Sequence, residues 1–118
     1  MPNARRGEIE AVLDGRPRVL VLTLGALAEL EAAFGADDLM ALAERFGRGR
    51  LSARDAARII AAGLHGAGEE VTLDEVERMR TEGGAAGFAR IVAQLLAATF
   101  GLEGEGAVSP SPPPPQQA

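Results

Sequence analysis

A chain of 118 residues has room for one hydrophobic core, and with 47% hydrophobic but only 3% aromatic residues that core must be assembled from Leu, Ile, Val and Ala. It contains no Cys and one His, and every basic residue is Arg, which excludes disulfide scaffolds, thiol nucleophiles, Cys- or His-rich metal sites and lysine chemistry. Seventeen acids against 12 bases, a net charge of −5, argue against a nucleic-acid surface, which needs clustered positive charge.

Residues 1–6 read as a flexible N-terminus. Glu8 to Leu13 is strand-compatible, and Asp14-Gly15 signals a tight turn, because both central residues of a type I′ turn need positive φ. Arg16-Pro17 is expected to lengthen that turn, since Pro cannot sit inside a central strand. Arg18 to Thr23 is the best strand pattern in the chain, so the segment predicts a β-hairpin. The hydrophobic period then changes from two to about 3.6. Leu24, Leu27, Leu30 and Phe34 mark the apolar face of a first helix, capped by Thr23 and ended by Gly35. A second helix is expected over 37–46, with Leu39, Leu42, Ala43 and Phe46 as its stripe. Ser52 and Asp55 stand at capping-box spacing before a third, whose apolar face is Ala56, Ile59, Ile60 and Leu64. Residues 66–70 form a loop. Thr72 and Glu75 open a fourth helix over 73–81, which Gly83 and Gly84 are expected to end. The last helix, about 85–100, carries Phe88, Ile91, Val92, Leu95, Leu96, Thr99 and Phe100 at spacings of three and four, and is expected to be the main core element. Residues 103–118 change to Gly, Ser, Pro and Gln. That composition predicts disorder or polyproline II and a tail dispensable for folding. The fold class is therefore α+β, mainly α: an N-terminal hairpin, about five short helices in one domain over 7–102, and a disordered tail.

No apolar run resembles a signal peptide or approaches the roughly 20 residues of a spanning helix. A cytoplasmic location without membrane contact is expected.

Little in the chain suggests chemistry. His65 falls at the end of the third helix, where the negative dipole end favours it, and its nearest acids in sequence, Glu69 and Glu70, lie in a loop. Asp37, Asp38, Asp74 and Glu75 suit helix N-termini and match no calcium loop. Gly-Arg-Gly-Arg at 47–50 is not followed by the Lys of a P-loop, and Arg45, Arg48, Arg50, Arg54 and Arg58 form a local basic cluster that reads as a solvated inter-helix loop with Arg54 and Arg58 on one exposed helix stripe, an acidic protein surface being the next choice of partner and nucleic acid the last. The segment Leu73 to Val92 mimics a helix-turn-helix but offers only Arg90 and Gln94 as base readers, so no nucleic-acid partner is expected. No catalytic group, cofactor or metal is expected. One feature stands out: the strand Val19-Leu20-Val21-Leu22 is apolar on both faces. One face can pack on the helices; the other needs a second cover, from a helix or from another molecule.

The stretch Leu22-Thr-Leu-Gly-Ala-Leu-Ala-Glu-Leu-Glu-Ala-Ala-Phe-Gly35 is distinctive. Leu42-Ala-Glu-Arg-Phe46, Gly49-Arg-Leu-Ser52, Ala61-Ala-Gly-Leu-His-Gly-Ala-Gly68 and Val71-Thr-Leu-Asp-Glu-Val76 come after it. Over 7–102 this pattern resembles the tail assembly chaperones of gene transfer agents, the phage-derived particles of alphaproteobacteria. The resemblance implies a non-catalytic protein that binds the long helical tape measure protein before tail tube subunits polymerise around it. The tail tube protein is a second possible partner, and self-association is expected because many copies must coat one client. Thr23, Leu24, Gly25, Leu27, Leu30 and Phe34, the matching positions, read as structural. The surfaces to inspect for partner binding are Val19, Leu20, Val21 and Leu22, and the stripe Leu39, Leu42 and Phe46. A minor structural tail component of the same particle is the alternative, and a small DNA-binding regulator using Arg45–Arg58 a weaker one.

Overall fold

The computed structural model describes residues 6–48 and 51–101. The elements run β1 (Glu8–Leu13), β2 (Arg16–Val21), α1 (Leu24–Phe34), α2 (Leu39–Gly47), α3 (Ala53–Gly66), α4 (Leu73–Glu77) and α5 (Gly84–Phe100). The expected architecture, a two-stranded hairpin followed by five helices, is the one observed. The expectations for residues 1–5, for Gly49 and Arg50, and for the tail 103–118 lie outside the described residues.

β1 and β2 pair antiparallel from Glu8↔Val21 to Leu13↔Arg16. The connection is two residues, not four: Asp14 and Gly15 both take positive φ, 56° and 75°, the signature of the type I′ turn. Strand β2 therefore starts at Arg16 and ends at Val21 rather than spanning 18–23. Pro17 is accommodated opposite Val12, one step from the pair that closes the turn, where antiparallel geometry asks for no inter-strand N–H. Residues 80–81 fix the turn from outside. Asp14 N donates to Arg80 O at 2.8 Å, Arg80 N to Asp14 Oδ1 at 2.9 Å, and Thr81 Oγ1 to Val12 O at 2.7 Å.

These bonds explain why α4 stops at Glu77 and not at residue 81: Arg80 and Thr81 leave the helix to meet the hairpin. Gly83 and Gly84 consequently begin α5 instead of ending α4, with Gly83 as N-cap at φ 90°. The starts of α1, α3 and α4 follow the sequence, whereas α2 begins at Leu39 rather than at 37 because Asp38 is its cap. Thr23 Oγ1 accepts from Ala26 N, and Asp38 Oδ1 from Ala41 N. Ser52/Asp55 and Thr72/Glu75 form two reciprocal capping boxes.

The centre of the core is α3, not the last helix. Six consecutive residues from Ile59 to Leu64 are buried, because α3 is packed by β2, α1, α4 and α5 on different sides. A helix enclosed in this way loses its one-sided pattern. Its small residues allow the close approach. A Cβ at Gly63 would sit 2.9 Å from Leu95 Cδ2 and 3.1 Å from Leu20 Cβ, so β2 and α5 converge there. Leu13, Leu20, Leu30, Leu42, Ile59, Ile60, Leu64, Val92 and Leu95 are the largest fully buried side chains. Between α1 and α2, Phe34 and Phe46 meet edge to face at 5.4 Å, and the Arg45 guanidinium lies 4.8 Å from the Phe34 centroid. Leu24, expected on the inner face of α1, is 77% exposed, since as the first residue of α1 it lies at the N-terminal edge of the packed stripe Ala26, Leu27 and Leu30.

Candidate functional site

The residues singled out for partner binding separate into two sets. Leu20, Leu22, Leu42 and Phe46 are buried within the chain's own core. Val19 and Val21 are half-buried and Leu39 is 40% exposed. Strand alternation puts Val19 and Val21 on the outer hairpin face with Pro17 and Val12, the last 52% exposed. The doubly apolar strand thus turns Leu20 into the core and leaves Val19 and Val21 partly accessible. On α2, Met40, at 76% exposure, stands beside Leu39.

A further concavity lies elsewhere. A groove of about 850 Å³ runs between α3 and α5, with Val76 and Glu77 of α4 and Phe46 of α2 also on its wall. Its base is formed by the buried Ile60, Val92 and Leu96. Its sides are short: Ala53 and Ala56 on α3 face Ala85, Ala89 and Ala93 on α5, with Phe88 half-buried among them. Alanines at spacings of three and four on two packed helices fill less of the space above the contact than leucines do, and the groove is the remainder. The rim carries charge, with Arg54 Nε 3.9 Å from Glu77 Oε2. Of the tape-measure-binding residues proposed from sequence, only Phe46 lines it. The spacing Ala85-Ala89-Ala93 was the available signal, but alanines on a helix read equally as a tight helix–helix contact.

Two arginines of the basic cluster, Arg45 and Arg54, find partners within the chain. Arg45 stacks on Phe34 and lies 4.0 Å from Asp55, and Arg54 pairs with Glu77. Arg18, only 11% exposed, donates to Glu69 Oε1 at 2.7 Å. His65 is held at both ring nitrogens: Nδ1 lies 3.0 and 3.1 Å from the Glu29 carboxylate oxygens, and Nε2 2.6 Å from Val71 O. Its pKa is raised above 6.5, first by the bond to the Val71 carbonyl and then by Glu29, against an opposing effect of burial. The acid that meets His65 is therefore Glu29 on α1, not the sequence neighbours Glu69 and Glu70. Among the described residues, no three His, Asp or Glu side chains come close enough together to hold a metal ion. Nor is any described helix long and apolar enough to cross a membrane.

Fold and groove together define a small hairpin-plus-helices protein with an apolar, helix-walled groove. The chain belongs to the family described as phage tail tube protein, GTA-gp10, whose model matches residues 6–102. This places it among the tail proteins of phages and gene transfer agents. No curated protein and no solved structure matches the chain.

Proposed function

We propose that the chain is a non-catalytic tail assembly chaperone that binds the tape measure protein through the α3–α5 groove. The groove is the observation that carries this reading. An α-helix is roughly 10–12 Å across with its side chains. Helix recognition in a groove needs an apolar floor, low walls and a polar rim. Ile60, Val92 and Leu96 supply the floor, the alanines of α3 and α5 the walls, and Arg54 and Glu77 the rim. A tape measure awaiting its tube presents apolar helical stripes, and such a stripe is the complement. The half-buried outer hairpin face, Val19 and Val21, and the exposed pair Leu39 and Met40 are then available for contacts between copies along one client.

The matched family's description as a tail tube protein favours a second reading, a structural component retained in the particle. Two measurements separate the readings. Co-expression with the tape measure protein of the same particle tests for a soluble complex, which the chaperone reading requires. Purified particles test for retention: a chaperone is absent from them, a structural component is present at fixed stoichiometry. Ala89→Arg, an exposed wall position, is expected to abolish the complex while leaving the fold intact.

A further inference from the structure

We propose that His65 is a pH-operated tie that fastens the connection 67–72, and with it the start of α4, to α1. Three elements meet at this side chain. From α1 comes the Glu29 carboxylate, 3.0 Å from Nδ1; from the connection comes the Val71 carbonyl, 2.6 Å from Nε2. Glu69 and Glu70 line the same depression, and Arg18 of β2 pairs with Glu69. Both ring nitrogens thus face acceptors, an arrangement that only the imidazolium satisfies, because it carries two N–H donors. The neutral ring has one, so loss of the proton leaves a lone pair opposed to either the carboxylate or the carbonyl. The raised pKa has the same origin.

The connection leads directly into α4. Val71 precedes Thr72, whose side chain caps that helix, and Val76 of α4 lines the groove. Protonation of His65 therefore holds one wall of the groove in place; that consequence rests on the function proposed above, whereas the tie itself does not.

The experiment is NMR on the full chain, in which the only imidazole signals are those of His65. Ring nitrogen shifts give its titration midpoint. Amide exchange, corrected for the intrinsic effect of pH, is followed at Glu69, Glu75 and Val76, whose N–H groups donate to Leu64 O, Thr72 Oγ1 and Thr72 O. The expected result is a midpoint above 6.5, with protection of these amides lost across it. By linkage the loss is about tenfold for each pK unit of displacement. Glu29→Gln, at an exposed position, is expected to lower the midpoint and move the loss of protection to lower pH. A midpoint at or below 6.5, or protection unchanged across the titration, overturns the proposal. Because no client is present, failure of the tie is distinguishable from failure of the groove to bind one.

Discussion

Replacing Leu95 and Gly63, singly and together, probes the packing on which the fold depends. Leu95 is fully buried, and its Cδ2 is the nearest atom, at 2.9 Å, to a Cβ built on Gly63. Leu95→Ala removes a close-packed side chain from the junction of α3, α5 and β2, and a cost of about 2–5 kcal/mol is expected. Gly63→Ala adds a methyl to filled space. Overpacking costs about 1–3 kcal/mol, offset by about 1 kcal/mol of helix propensity. In the double variant the nearest clash disappears and the new methyl occupies part of the vacated volume, although Leu20 Cβ stays at 3.1 Å. The two changes are therefore expected to couple favourably by about 1 kcal/mol. The chain has no Trp or Tyr, so urea unfolding is followed by far-ultraviolet circular dichroism. In Tm, each kcal/mol corresponds to roughly 4–8 °C for a domain of this size. Additivity within about 0.3 kcal/mol, or a Leu95→Ala cost below about 1 kcal/mol, contradicts the packing described.

Asp14→Ala loses the Oδ1 acceptor of Arg80 N and puts Ala at positive φ, so unfolding free energy should fall by about 1–3 kcal/mol by urea titration. Arg18→Ala leaves Glu69 without its 2.7 Å partner at the edge of β2 and should lower Tm measurably, an effect that 1 M salt does not reproduce in the wild type because Arg18 is nearly buried. Leu20→Asp and Leu42→Asp place a charge at fully buried positions and are expected to abolish cooperative unfolding by circular dichroism. The folded pKa of His65 is raised, so its stabilising contribution is complete below about pH 6.5 and is lost as pH rises through the raised value; thermal melts across that range should show the decline, and Glu29→Gln should flatten it.

The hairpin, the caps and the helix count were legible because each rests on local chemistry. Asp14-Gly15 demands a turn with positive φ, and Ser52-x-x-Asp55 and Thr72-x-x-Glu75 satisfy their own N–H groups whatever surrounds them. What was not legible depends on residues distant in sequence. The end of α4 is set by Arg80 and Thr81 bonding to a turn 66 and 69 residues away, which no periodicity reports. The partner of His65, Glu29, lies 36 residues upstream. The dominance of α3 was hidden because Ala61, Ala62 and Gly63 look neutral by composition, yet all three are buried. The groove was missed for the related reason that alanines define it by the volume they leave unfilled.

The most direct test of the proposed function is size-exclusion chromatography with light scattering of this chain co-expressed with the tape measure protein of the same particle, run beside the Ala89→Arg variant. The chaperone reading predicts a soluble complex containing several copies of the chain per client, lost in Ala89→Arg, whose circular dichroism and Tm match the wild type. A client that stays insoluble with no complex formed, or a complex unaffected by Ala89→Arg, contradicts binding through the α3–α5 groove.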